Sequence, residues 1–216
     1  MPYIPAGRRR GLSVVAILAA AVLAPATANA AVKPPDWIAN TLSTVAVEPP
    51  TCSDPTFVQP FQGYNDQNLY VLAPGESDSN FTGDGWLLMN GANVTTATLA
   101  DGTTGSVLDL PSGSMAVSPP MCVASNYPTA RSMARNVSGG GGVHVYVTYA
   151  GSSDWSKAKD GGNCHGKGKA WGLSDNVKLD PADTSGWQIV RFALVPDGDH
   201  NDYQVYNFYV DPYAKR

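Results

Sequence analysis

The chain has very little glutamate, and this shortage narrows the folds open to it. Only Glu48 and Glu76 are glutamate among the 18 acidic residues, and the rest are aspartate. Glutamate is a good helix former, whereas the abundant Gly, Pro, Ser and Thr favour turns. The composition therefore predicts an all-β protein with many tight turns rather than a helical one.

The residues that build catalytic sites are also scarce. The three histidines, His144, His165 and His200, are scattered and show no metal-ligand spacing. The Gly-x-Ser-x-Gly nucleophile elbow is absent, and no spacing singles out a carboxylate pair for glycoside hydrolysis. Cys164 and His165 are adjacent, and neighbours on an extended chain point to opposite faces, so they cannot form a nucleophile–base pair by themselves. We expect no catalytic residue and no enzyme.

The N-terminus predicts export. Arg8, Arg9 and Arg10 precede an uncharged apolar run over 11–24, and Ala28-Asn29-Ala30 places small residues at both signal peptidase positions. At about 1.5 Å per residue, such a run is shorter than the roughly 30 Å hydrocarbon core of a membrane. We therefore expect residues 1–30 to be a signal peptide cleaved after Ala30, and the mature protein to be secreted with no membrane span.

Removal of residues 1–30 leaves 11 basic and 18 acidic residues. This excess of negative charge argues against nucleic acid as a partner, because binding to phosphates requires a basic surface. Residues 31–51 contain two Pro-Pro pairs and no clear period, which predicts a linker or flexible N-terminal arm. The ordered domain is expected over 52–216.

Short alternating runs separated by turn residues predict many β-strands in this domain. Val143, Val145, Val147 and Tyr149 alternate with more polar residues, and 189–194 shows the same period of two. In the last run, alternation predicts one face with Tyr206, Phe208 and Val210 and another with Val205, Asn207 and Tyr209. The pattern indicates a two-sheet antiparallel β-sandwich.

Two stretches resemble a known family. Asn80-Phe81-Thr-Gly-Asp84-Gly-Trp86 and Tyr206-Asn-Phe-Tyr-Val-Asp211 resemble strands of jelly-roll carbohydrate-binding modules of the galactose-binding-like fold. The stretch 118–122, with 127–131, is similar to short secreted actinobacterial proteins. The first resemblance implies a jelly roll over 52–216 that binds carbohydrate. The chain departs from the pattern at Thr82, where many such modules carry an acidic residue near a structural calcium.

No cofactor is predicted, and four aspartates are weak candidates for a structural calcium. Asp84 and Asp211 lie in the two stretches that carry the resemblance. Asp197 and Asp199 begin a segment with oxygen ligands at alternate positions, but its sixth residue is not glycine and its twelfth is Phe208 rather than glutamate. A polar hairpin turn explains that segment equally well.

Three cysteines in an oxidising compartment allow at most one internal bridge. We favour Cys52–Cys122, which would connect the first strand with the middle of the sandwich. A bridge that includes Cys164 is the alternative.

Aromatic residues are the best functional signal in the sequence. Sugar rings present apolar C–H faces and polar edges, so their sites combine an exposed aromatic ring with polar side chains. Trp155 lies in a polar segment, Trp171 follows a Gly/Lys-rich one, and Tyr146 and His144 share the polar face of a strand. We expect these four to bind an extracellular glycan or cell-wall polysaccharide. The alternative is a structural or protein-interaction module of the cell envelope without a sugar site.

Overall fold

The structure is a computed structural model that describes residues 51–53, 55–124, 129–150, 158–180 and 186–211. The chain divides into two units, Met1–Ala30 and Ala31–Arg216, and all described residues belong to the second. Among them, no helix has the length and apolar character needed to cross a membrane.

The described residues form β-strands and one short 3-10 turn, Gln62–Tyr64. The strands, in chain order, are β1 Val71–Leu72, β2 Glu76–Ser77, β3 Asn80–Phe81, β4 Leu87–Met89, β5 Asn93–Thr98, β6 Thr104–Pro111, β7 Met115–Val117, β8 Met121–Ala124, β9 Thr129–Ser138, β10 Val143–Tyr149, β11 Lys159–Cys164, β12 Gly172–Leu173, β13 Val177–Lys178, β14 Trp187–Pro196 and β15 Asp202–Asp211.

Two large sheets account for most of these strands. Sheet 1 has the order β12-β9-β15-β6-β5, with β1 paired to β15 and β13 paired to β9. Sheet 2 has the order β11-β10-β14-β7-β4, with β8 paired to β14. The described strand pairs are antiparallel, including the small β2–β3 pair. The predicted all-β, two-sheet antiparallel sandwich is confirmed.

The core lies between the two sheets, and alternation along each strand fills it. Val143, Val145 and Val147 of β10 point into it, as the period of two predicts. Phe192 of β14 meets Phe208 of β15 with ring centroids 5.1 Å apart, which joins sheet 2 to sheet 1. Burial of such large apolar side chains is the main stabilising contribution to the sandwich.

The last strand departs from simple alternation. The register of β15 against β9 shifts between Tyr206 and Tyr209, where Asn207 adopts a left-handed φ of 53°. This β-bulge adds one residue and so reverses the faces beyond it. Phe208 points into the core, whereas Tyr206 lies on the outer face of sheet 1. The prediction that Tyr206 and Phe208 share a face is therefore wrong.

The predicted disulfide is confirmed. Cys52 and Cys122 are bridged across a sequence separation of 70 residues. Cys164, at the end of β11, is free and buried. Burial raises the pKa of its thiol, so Cys164 lacks the thiolate character that a nucleophile needs.

Candidate functional site

The structure separates the residues that the sequence groups into one sugar site. Tyr146 and His144 lie on the outer face of sheet 2, in alternation with the core valines of β10. Trp171 precedes β12 and packs on the outer face of sheet 1. Trp155 lies outside the described residues. The three described residues of this set therefore belong to two different faces of the sandwich.

Tyr146 is not an exposed sugar platform. The residue is 3% exposed and packs against Met115, Val117 and Ala193. Burial raises the pKa of its hydroxyl to about 12, and the nearby charges of Asp160 and Asp197 add to the shift. A ring in these surroundings contributes to packing.

His144 lies between two carboxylates. Its Nε2 is 2.6 Å from Oδ1 of Asp197, its Nδ1 is 3.3 Å from Oδ2 of Asp160, and its ring stacks on Tyr146. Both ring nitrogens thus face acidic groups, although Nδ1 makes no hydrogen bond within the described residues. The arrangement ties β10 to β11 and to the end of β14.

The calcium candidates do not converge. Asp197 faces His144, Asp84 accepts a hydrogen bond from Thr82, and Asp199 is exposed. Asp211, at the end of β15, is buried. Within the described ranges, no group of three or more His, Cys, Asp or Glu residues could hold a metal ion.

The outer face of sheet 1 carries a cluster of aromatic rings. Phe61, Tyr70 and Tyr209 meet edge to face, with centroids 5.3–6.5 Å apart. Phe61 and Tyr70 belong to the chain that leads into β1, so this segment crosses the face of the sheet. Edge-to-face contacts are the favoured geometry for such rings. The segment therefore has a fixed position over sheet 1.

An open pocket of about 230 Å³ lies beside this cluster. Its lining includes Tyr64, Phe61, Ser79, Asp101, Tyr206 and Asn207. Tyr64 stands out because 39% of its surface is exposed. We call this cavity the Tyr64 pocket.

Buried polar contacts anchor the turn that carries Tyr64. Asp66 is 2.6 Å from Nη1 of Arg131 on β9 and accepts a 2.7 Å hydrogen bond from the hydroxyl of Tyr70. Burial by itself raises the pKa of Asp66, but hydrogen bonds from Tyr70, Asn68 and Arg131 together lower it below its ordinary value. Asp66 is therefore a carboxylate at neutral pH that fastens the turn to sheet 1.

The turn between β5 and β6 forms the opposite wall of the pocket. The backbone N–H of Ala100 donates to the hydroxyl of Tyr206 at 3.2 Å. Asp101 accepts two hydrogen bonds from Thr103, and these lower the pKa of its carboxyl. An ionised, exposed carboxylate at the rim is an acceptor for ligand hydroxyl groups.

Trp171 supports the same turn from the other side. Its ring meets Tyr206 edge to face at 4.7 Å, and its indole N–H donates to the carbonyl of Thr98. The guanidinium of Arg135 lies 4.6 Å from the ring centroid. Trp171 thus adjoins the Tyr64 pocket through Tyr206.

A row of polar side chains runs across sheet 1 beyond Trp171. Arg135 donates to Gln204, Gln204 donates to Asp109, and Asn93 donates to the other oxygen of Asp109. These residues lie opposite one another on β9, β15, β6 and β5. The outer face of sheet 1 therefore combines aromatic rings with donors and acceptors.

Sequence reasoning did not single out Tyr64 or Asp101. Asp101-Gly102 is recognisable as a turn, but nothing in its pattern shows which side chain the turn approaches. Tyr64 has a usable signal, since it is an isolated aromatic residue in the polar stretch 62–68.

Comparison of the sequence with protein-family models and with curated proteins finds no match. Among solved structures, the chain is similar to the C-terminal family 22 carbohydrate-binding module of a Clostridium thermocellum protein, with 12% identity over 60% of this chain and 87% of that one and a TM-score of 0.40. It is similar to a xylan-binding domain from Paenibacillus barcinonensis, with 10% identity over 61% and 88% and a TM-score of 0.39.

The chain also resembles the enzymatically active domain of tailspike protein 4 of bacteriophage CBA120, with 12% identity and a TM-score of 0.35. That match covers 58% of this chain but 19% of the tailspike chain.

Proposed function

We propose that this protein is a secreted, non-catalytic β-sandwich that binds a carbohydrate in the Tyr64 pocket. The observation that carries the proposal is the pocket itself, in which the partly exposed ring of Tyr64 stands beside Asp101, Asn207 and Ser79, with the buried ring of Tyr206 in the wall. Aromatic rings match the apolar faces of a sugar, and the polar groups match its hydroxyls.

The polar groups of the pocket are already oriented. Asn207 accepts a hydrogen bond from the backbone N–H of Ser79, and Asp101 accepts one from the backbone N–H of Thr103. Side chains fixed before binding lose less entropy when a ligand arrives. The pocket thus has the preorganised donors and acceptors that a binding module uses.

The composition of the pocket supports binding rather than hydrolysis. Of the residues that line it, only Asp101 carries a carboxylate. Glycoside hydrolysis ordinarily needs two carboxyl groups on opposite sides of the scissile bond. The proposed ligands are extracellular glycans, including cell-wall polysaccharides. A disulfide-bonded sandwich behind a signal peptide suits that location.

The test is a binding screen of residues 31–216 against soluble and insoluble polysaccharides, including cellulose, chitin and isolated cell wall. For a glycan that binds, Tyr64→Ala should weaken affinity several-fold, which corresponds to about 1–2 kcal/mol, with little change in melting temperature. Val94→Ala, at a residue with similar exposure on β5, is the matched control and should bind normally.

The same assay separates the pocket from the site predicted by sequence. A loss on Trp155→Ala with normal binding by Tyr64→Ala would favour the site predicted from the sequence, which includes Trp155, over the Tyr64 pocket. Wild-type protein that binds no glycan in the screen would overturn the carbohydrate proposal and favour the structural or interaction module.

A further inference from the structure

Strand β5 lies at one margin of sheet 1, where β6 is the only described strand that pairs with it. The pairing runs without interruption from Asn93 opposite Asp109 to Thr98 opposite Thr104. The six residues of β5, Asn-Val-Thr-Thr-Ala-Thr, include no charged residue and no proline. Proteins usually protect an edge strand with a charge, a proline, a bulge or a very short length. Strand β5 has none of these protections.

The other margins of the two large sheets are protected. On the far side of sheet 1, β12 and β13 have two residues each. In sheet 2, β4 has three residues. Strand β11 is longer, but it carries Lys159 and Asp160, and its register against β10 shifts between His144 and Tyr146. An added strand therefore finds its best template at β5.

The turn between β5 and β6 shows which backbone groups of β5 point outward. The N–H of Leu99 donates to the carbonyl of Thr103, so Leu99 directs its backbone groups toward the partner strand. In an antiparallel pair, the N–H and C=O of one residue point to the same side, and successive residues alternate. Val94 and Thr96 therefore direct both groups away from β6.

A second hydrogen bond agrees with this direction. Ser106 lies opposite Thr96, and its N–H donates to the side chain of Asn80 on β3 rather than toward β5. Val94 and Thr96 are both exposed, Val94 with 38% of its surface. In the described ranges, nothing bonds to the outward N–H and C=O groups of these two residues.

The outward groups of β5 are self-complementary. When Val94 lies opposite Thr96 of a second copy, the two residues exchange both N–H···O=C bonds, and two-fold symmetry repeats the exchange on the other side of Thr95. Thr95 then lies opposite its own counterpart, and threonine pairs across strands are favourable. Because β5 is uncharged, two copies of an acidic chain can meet there with no like-charge pair between the strands.

We propose that β5 is a dimerisation edge, to which β5 of a second copy of this chain adds antiparallel with Thr95 at the two-fold axis. Opposite residues of a strand pair point to the same side, so the outer faces of both copies of sheet 1 would face the same way. Six residues span about 20 Å, which is short for a stable interface, and the dimer should therefore be weak and reversible. This inference does not depend on carbohydrate binding.

Sedimentation equilibrium of the chain from Ala31 to Arg216, at concentrations up to about 1 mM, tests the proposal. Thr96→Pro removes an outward N–H without removing a bond to β6, and we expect it to raise the dimer dissociation constant about tenfold or more. Thr96→Val keeps the N–H and the branched shape, so it should dimerise like the unmodified chain. Protection of the buried Cys164 from iodoacetamide reports that each variant is folded.

A cross-link tests the position of the axis. Opposite residues that exchange no hydrogen bonds have Cα atoms about 4.5 Å apart, which is within the range of a disulfide. Thr95→Cys should therefore form a covalent dimer on mild oxidation, seen on a non-reducing gel. Val137→Cys, at a residue of β9 with 39% exposure, is the control and should stay largely monomeric.

Two results would overturn the proposal. One is a chain that remains monomeric up to the highest concentration. The other is a dimer that persists in folded Thr96→Pro and in which Thr95→Cys cross-links no faster than Val137→Cys, because another surface then forms it. If Thr96→Pro does not fold, the cross-link decides: faster cross-linking of Thr95→Cys supports pairing through β5, and equal rates overturn it.

Discussion

The hydroxyl of Tyr206 accepts a 3.2 Å hydrogen bond from the backbone N–H of Ala100, a residue 106 positions earlier in the chain. Tyr206 lies on the outer face of sheet 1, and Ala100 lies in the turn between β5 and β6. This bond holds the turn, and with it Asp101, against the wall of the Tyr64 pocket.

Tyr206→Phe removes this acceptor and keeps the ring. We expect a loss of about 1 kcal/mol in the free energy of unfolding and a several-fold loss of glycan affinity, because the turn that carries Asp101 loosens. Tyr203→Phe is the control, since the hydroxyl of Tyr203 accepts a hydrogen bond from the side-chain amide of Asn136, away from the pocket. That variant should lose similar stability and bind normally. Normal affinity in Tyr206→Phe would show that the turn does not shape the site.

Asp66→Asn breaks the ion pair that anchors the Tyr64 turn. At pH 7 we expect the free energy of unfolding, measured with urea, to fall by roughly 1–3 kcal/mol. The reason is that Arg131 and Tyr70 would then donate to a neutral amide oxygen, which is a weaker acceptor than a carboxylate. The lowered pKa of Asp66 means that its carboxylate stabilises the fold above pH 3.8, the ordinary value. The difference between variant and wild type should therefore shrink as the pH falls below that value.

Asp101→Asn is the control for this experiment, since the carboxylate of Asp101 is fully exposed and its removal should change stability little. A difference between wild type and Asp66→Asn that stays constant down to low pH would contradict the charged role of Asp66.

Glu76→Gln tests a carboxyl group placed at the β-bulge. Both carboxyl oxygens of Glu76 lie 3.2 Å from the backbone nitrogen of Phe208. Burial raises the pKa of Glu76 from 4.5 to about 8, although hydrogen bonds from the backbone oppose the shift. The unfolded chain releases this proton near pH 4.5 and the folded chain near pH 8. Wild-type stability should therefore fall between these values as the pH rises.

Glutamine cannot ionise, so Glu76→Gln should lack that fall. The variant should exceed wild type by a few kcal/mol at pH 9 and approach it near pH 4, as measured by urea unfolding. If the free energy of unfolding changed with pH in the same way in both proteins, Glu76 would be ionised in the folded protein.

Reduction of Cys52–Cys122 should lower the free energy of unfolding by about 2–4 kcal/mol, because the bridge constrains a long loop in the unfolded chain. The measurement is denaturant unfolding with and without reductant. Cys164 should react with iodoacetamide only after unfolding, since it is buried. An unchanged midpoint after reduction would contradict a stabilising role for the bridge.

Strand character was readable from the sequence because it depends on local pattern. The period of two in 143–149 predicted which side chains of β10 enter the core, and the same was true of β14. The prediction was wrong in β15, where Asn207 takes a left-handed conformation and reverses the alternation. Such a bulge depends on contacts with distant residues, among them Ser79 and Glu76.

The sequence by itself determined the all-β class and the antiparallel sandwich, since both follow from composition and local periodicity. The three cysteines limited the internal bridges to one, and the structure selected Cys52–Cys122 over a bridge that includes Cys164. Only the tertiary structure decided that Tyr146 is buried and that Tyr64 is exposed beside Tyr206 and Asp101. Those relationships join residues far apart in the chain, and the exposure of an aromatic ring depends on what packs against it. No pattern within one segment carries that information.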